Sequence, residues 1–79
     1  MVVTTYADAQ SMIGKSEGAI DICAGVTGRS KGPMQGNRQE WTYERGACKV
    51  VLNFENGYIT EVDFSGPSFT CSSLIGRCL

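Results

Sequence analysis

The pattern of apolar and polar residues predicts helices in the first third of the chain. Over residues 4–13 apolar side chains recur at helical spacing after a Thr4 or Thr5 N-cap. A second helix starts at a Ser16 cap and ends at Gly25. Each helix has about two turns, so both must pack on another element to be stable. The apolar stripes are Tyr6, Ala9, Met12 and Ile13, then Ala19, Ile20 and Cys23.

The second half of the chain has the alternation of β-strands. Three strands are predicted at residues 38–44, 47–54 and 58–64. Asn56-Gly57 predicts a type I′ hairpin turn, because both central residues of that turn need positive φ. A plain two-residue turn pairs Val62 with Val51 and Lys49 with Phe64. This register leaves open which face of the third strand points inward.

The predicted fold class is α+β, with two short N-terminal helices packed on a three-stranded antiparallel meander. Residues 70–77 are predicted to form a short C-terminal helix, although Gly76 weakens it. The glycine-rich segment 27–39 has almost no apolar content and is predicted to be a mobile loop. Residues 1–79 leave room for one small domain only.

Composition and charge exclude several classes of function. The net charge is −1, which gives no general attraction to nucleic acid or anionic lipid. The chain has no apolar run near the ~20 residues of a membrane-spanning helix. It also has no His, which removes His-based catalytic triads and His-ligated metals. We expect no cofactor and no catalytic residue.

The four cysteines are Cys23, Cys48, Cys71 and Cys78, and no two form a Cys-x-x-Cys pair. Two structural disulfides are favoured over a metal site or four buried thiols, since small domains often need such cross-links. In a helix, Cys71 and Cys78 are about 10.5 Å apart along the axis, too far to pair. The predicted hairpin ends beside Cys48. The expected pairs are Cys48–Cys71 and Cys23–Cys78.

Disulfides imply an oxidising compartment. Residues 1–5 lack the basic start, apolar stretch and cleavage site of a signal peptide. The chain is therefore either cytosolic or a mature domain with an added Met1, and the cysteine count favours the mature domain. The predicted location is periplasmic or secreted.

Candidate partner-binding residues lie in and after the predicted loop, where residues 25–49 carry five basic and two acidic side chains. Arg29, Lys31 and Arg38 are expected to meet an acidic partner, with Trp41 or Tyr58 as an aromatic anchor if exposed. The alternative interpretation is a solvated connector, with Trp41 in the core. The strand carboxylates mostly fall on outward-facing positions in this prediction, as on a solvated face; they are Glu40, Glu44, Glu55, Glu61 and Asp63.

Short motifs spread along the chain resemble small bacterial envelope lipoproteins of the SmpA/OmlA outer-membrane assembly family and, more distantly, the repeat of β-lactamase-inhibitor proteins. The matching segments are residues 12–16, 23–26, 41–43, 48–54, 56–59 and 71–78. The resemblance implies two helices on a three-stranded meander, a periplasmic location and a protein-binding role. Thr27 stands where such sequences often have Pro, and no lipid-attachment Cys lies near Met1.

The leading functional hypothesis is a non-enzymatic cell-envelope protein that binds or scaffolds another protein. A second hypothesis is a small inhibitor of a secreted enzyme, with the 27–39 loop inserted into a cleft. A third is a thiol-active or metal-binding protein.

Overall fold

Both predicted N-terminal helices are present in the computed structural model, which describes residues 4–26, 28–66 and 74–78. Helix α1 spans Tyr6–Gln10 and helix α2 spans Glu17–Cys23. At the start of α1, Thr5 and Asp8 form a reciprocal capping box. The Ser16 hydroxyl accepts a hydrogen bond from the Ala19 amide at the start of α2. The cap residues therefore explain where both helices begin.

The sheet has four antiparallel strands in the order β1-β2-β3-β4. They are β1 (Arg29–Lys31), β2 (Arg38–Arg45), β3 (Cys48–Glu55) and β4 (Tyr58–Ser65). The prediction of a three-stranded meander was wrong in strand number, because β1 forms inside the segment predicted to be a loop. β1 has no apolar alternation, yet it pairs with β2 from Arg29 opposite Tyr43 to Lys31 opposite Trp41.

A β-bulge near the β3–β4 hairpin turn settles which side of β4 is buried. Asn56 and Gly57 have φ of 54° and 83°, as the turn prediction requires. Ile59 lies opposite Phe54, but Glu61 lies opposite Asn53, so Thr60 is an extra residue. Ile59 and Val62 consequently both point into the core. The predicted Val51–Val62 and Lys49–Phe64 pairs were wrong by one residue, because Val51 lies opposite Asp63 and Lys49 opposite Ser65.

The core lies between the helices and one face of the sheet. The connection between the helices also covers part of the outer edge of β4 through backbone hydrogen bonds. Gly14 donates to the Ile59 carbonyl at 2.8 Å, and Ile59 donates to the Lys15 carbonyl at 2.9 Å. The larger buried core side chains are Met12, Ile20, Trp41, Tyr43, Val50, Leu52, Phe54, Ile59, Val62, Leu74 and Ile75.

The first half of the predicted helix over residues 70–77, residues 70–73, lies outside the described part of the chain. In the described C-terminal residues 74–78 there is no α-helix, and Gly76–Cys78 form a 3-10 turn. Leu74 and Ile75 are buried, and the Leu74 amide donates to the buried Thr4 hydroxyl at 3.1 Å. This end of the chain therefore belongs to the core. No helix of the described residues is long and apolar enough to span a membrane.

The predicted Cys23–Cys78 disulfide is confirmed. Its Cα atoms are 4.9 Å apart, and it closes a separation of 55 residues between α2 and the C-terminal turn. A loop of this length corresponds to about 4 kcal/mol in the chain-entropy model. The second predicted pair, Cys48–Cys71, includes a residue outside the described part of the chain and stays a prediction.

Tryptic mapping without reduction tests both disulfide pairs. Cleavage after Lys and Arg places the four cysteines in separate peptides, 16–29, 46–49, 50–77 and 78–79. We expect peptide 16–29 linked to 78–79, and 46–49 linked to 50–77. A link between 46–49 and 78–79, or alkylation of any cysteine before reduction, would contradict the assignment.

Candidate functional site

Trp41, the only tryptophan of the chain, attaches β1 to the rest of the sheet. Its side chain is fully buried on β2. The centre of the Arg29 guanidinium lies 4.7 Å from the indole centroid, and the Lys31 ammonium lies 4.2 Å from it. Phe54 packs against the same indole at 4.4 Å between ring centroids. Because both cations come from β1, cation–π contacts hold a strand that has no apolar side chain of its own.

Arg29 also joins β1 to the end of α2. Its guanidinium forms an ion pair with Asp21 and is only 11% exposed. It donates as well to the Gly25 carbonyl at 3.3 Å, which also accepts the Tyr43 hydroxyl at 3.0 Å. Burial has the largest single effect and lowers the pKa of Arg29, but hydrogen bonds to Asp21 and Tyr43 and the charge interactions with them together outweigh it, so the pKa of Arg29 is raised. Burial also raises the pKa of the Tyr43 phenol.

Residues 32–37, named here the arm, continue from β1 and are fastened to β2. The Trp41 indole donates to the Gln39 side-chain oxygen, and the Gln39 amide donates to the Gly32 carbonyl, both at 2.9 Å. The Gly32 amide donates to the Glu40 carbonyl at 2.7 Å. Gln35 and Arg38 then exchange two backbone hydrogen bonds, of 2.8 and 3.2 Å.

The tip of the arm is joined to the β3–β4 turn. The Asn56 amide donates to the Asn37 carbonyl at 2.9 Å, and the Asn37 side-chain amide donates to the Asn56 side-chain oxygen at 3.0 Å. The β1–β2 turn at the tip of the arm therefore lies beside the β3–β4 turn at one end of the sheet. The arm has a defined path at its start, middle and tip, unlike the free loop that its composition predicts.

A groove of about 450 Å³ lies between the arm and the face of the sheet that points away from the core. We call this second face the open face. Its β2 and β3 side chains are alternate residues that are exposed or half-buried: Arg38, Glu40, Thr42, Glu44, Lys49, Val51, Asn53 and Glu55. Gly32, Pro33 and Gln35 of the arm line one side of the groove. Its other lining residues include Arg38, Glu40, Asn53, Glu55, Thr60 and Glu61.

The groove is polar and carries more acidic than basic groups. Arg38 Nε lies 3.6 Å from Glu55 Oε2, with both side chains open to water, so this ion pair adds little stability. Among the described residues neither Glu40 nor Glu61 forms an ion pair. Within that part of the chain no three metal-binding side chains converge. The lining therefore suits hydrogen-bonded and ionic recognition.

The structure separates the residues predicted to form one binding site. Arg29 is mostly buried in contacts within the protein, and Lys31 is exposed but lies over the Trp41 ring. Trp41 is fully buried, which leaves Tyr58 as the exposed aromatic candidate, at 57% exposure. Arg38 is exposed and lines the groove. An acidic partner at these residues stays a prediction.

Sequence reasoning placed most of the strand carboxylates on outward positions, as the structure has Glu40 and Glu44 of β2. It left the inward face of β4 open and did not bring the carboxylates together into a groove. The groove needs the arm, whose folding depends on contacts between distant residues. It also needs the Thr60 bulge, which places Glu61 rather than Thr60 opposite Asn53. No local pattern in the sequence indicates either feature.

Comparison of the chain with protein-family models, curated proteins and solved structures found no match. The resemblance to envelope lipoproteins therefore stays a hypothesis, and the functional argument depends on the geometry of the arm and the groove.

Amide hydrogen exchange tests the attachment of the arm. We expect slow exchange at Gly32 and Glu44, whose amides donate to Glu40 and Gly28 across the β1–β2 pair. Exposed Met34 and Gly36 should exchange faster and serve as internal controls. Equally fast exchange at all four amides would show that residues 28–37 are a free loop.

Proposed function

We propose that this domain is a non-enzymatic protein-binding module of the cell envelope or the secreted space, and that the groove is its binding surface. The observation that carries the proposal is the groove itself, about 450 Å³ of space between an attached arm and the open face of the sheet. A binding surface with a fixed shape loses less conformational entropy when a partner docks.

The chemistry of the groove favours binding over catalysis. Its side chains supply carboxylates, amides, a hydroxyl and a guanidinium, and none is a thiol or an imidazole. Nucleophilic catalysis needs an activated nucleophile beside a base, and acid–base catalysis needs a positioned group of suitable pKa. Exposed carboxylates on a sheet surface instead suit hydrogen bonds and ion pairs with a partner.

The Cys23–Cys78 disulfide supports an extracytoplasmic location, because such bonds persist mainly in oxidising compartments. It also gives less support to a thiol-active or metal-binding function, since two of the four cysteines are bonded to each other.

Inhibition of a secreted enzyme is the second candidate function. Met34 is 60% exposed on the arm, between residues that hydrogen bonds attach to β2. An exposed side chain on a fixed loop suits insertion into a cleft. This candidate uses the arm as the contact, whereas the first uses the groove.

Selection from a library of displayed random peptides tests the binding function. The oxidised protein is the bait, and enriched peptides are compared on two variants of β3. Asn53→Tyr fills the groove, whereas Val51→Tyr adds the same ring two residues away on the same face, outside the groove lining. We expect Asn53→Tyr to weaken binding about tenfold or more, a loss of about 1.4 kcal/mol, and Val51→Tyr to leave it unchanged.

Failure to enrich any peptide, or equal binding to wild type and Asn53→Tyr, would contradict the groove as a binding surface. Peptides that depend on Met34 but not on Asn53, shown with a Met34→Ser variant, would favour the inhibitor function instead.

A further inference from the structure

Two acidic side chains of the groove lie in one row across the sheet. The strand register aligns Glu40 of β2 with Asn53 of β3, and Asn53 with Glu61 of β4. Neighbouring strands are about 4.8 Å apart, so the backbones at Glu40 and Glu61 are separated by roughly 10 Å. Asn53 between them is half-buried and offers an amide group to the same space.

The charge of the groove determines which ligands it repels. Its lining holds three carboxylates, on Glu40, Glu55 and Glu61, and one guanidinium, on Arg38, for a local charge of −2. Arg38 is paired with Glu55, which leaves Glu40 and Glu61 without an ion-pair partner among the described residues. A phosphate backbone, an anionic lipid or an acidic peptide would meet repulsion here.

Exposed side chains near the groove add contacts that suit a cationic peptide. Tyr58 is 57% exposed and lies opposite Glu55, at the end of the row that starts with Arg38. An aromatic ring in this position can contact a guanidinium or ammonium group through its face. Met34 is 60% exposed on the arm and can contact the aliphatic part of a Lys or Arg side chain.

From this arrangement we infer that the groove binds an extended, cationic segment of a partner protein, with Glu40 and Glu61 each pairing with a Lys or Arg side chain. The inference rests on the proposed binding function and names the chemistry of its partner. In the extended polyproline II conformation, with three residues per turn and a rise of about 3.1 Å per residue, two cationic residues separated by two others project from the same side. They are then about 9 Å apart, close to the spacing of the two carboxylates. The backbone of such a segment would lie over Asn53 and Thr60.

A titration monitored by amide chemical shifts tests this inference. The probes are the capped peptide Lys-Gly-Gly-Lys and its counterpart Glu-Gly-Gly-Glu, added to the oxidised protein at low salt. We expect the lysine peptide to shift the amide signals of Glu40, Asn53 and Glu61 in a saturable manner, and the glutamate peptide to leave them unchanged.

Matched variants separate the groove from the general charge of the open face. Glu40→Gln/Glu61→Gln should weaken binding of the lysine peptide by about fivefold, as expected for the loss of two exposed ion pairs. Glu44→Gln/Asp63→Asn removes the same charge from the open face, at positions outside the groove lining. This control should bind like wild type.

Three outcomes would overturn the inference: no saturable shift with the lysine peptide, equal weakening by both double variants, or spermidine binding as tightly as the peptide. The last would assign the groove to a free polyamine. If the library instead yields groove-binding peptides without Lys or Arg, the binding function stands and the cationic partner does not. If no peptide of any composition binds the groove, the proposed function itself fails.

Discussion

The contacts of Trp41 with Arg29 and Lys31 are the interactions on which the arm and the groove depend. β1 contributes no apolar side chain to the core, so the hydrophobic effect does little to stabilise its pairing with the sheet. Each cation–π contact contributes about 0.5–2 kcal/mol, depending on how far it is shielded from water. Fixing the backbone of one residue costs about 1–2 kcal/mol of conformational entropy. The three residues of β1 therefore need these contacts in addition to their backbone hydrogen bonds.

The rest of the fold supplies a stable base for that attachment. The capped helices and the Cys23–Cys78 disulfide hold one face of the sheet in the core. Hydrogen bonds from the connection between the helices cover part of the outer edge of β4. Folding therefore depends little on the open face, whose side chains are exposed or half-buried. That face is left to carry polar and charged groups suited to a partner.

Much of this architecture follows from local sequence signals, and the remainder follows from long-range contacts. The Ser16 cap, the alternation through β2 and β3, and the Asn56-Gly57 turn each act over a few residues, so the sequence predicts them. β1 has no such signal, because Arg29 and Lys31 become strand residues only when Trp41 lies beside them. The Thr60 bulge also has no local sequence signal, because it results from the burial of both Ile59 and Val62 in the core.

Acrylamide quenching of Trp41 fluorescence measures the central contact directly, because no other tryptophan contributes. The wild-type protein should show low quenching. Arg29→Gln/Lys31→Gln, compared while still folded, should show several-fold higher quenching. Arg38→Gln/Lys49→Gln removes the same charge from β2 and β3 positions away from the indole and should match wild type. Equal quenching of all three proteins would contradict the conclusion that the two cations hold β1 against Trp41.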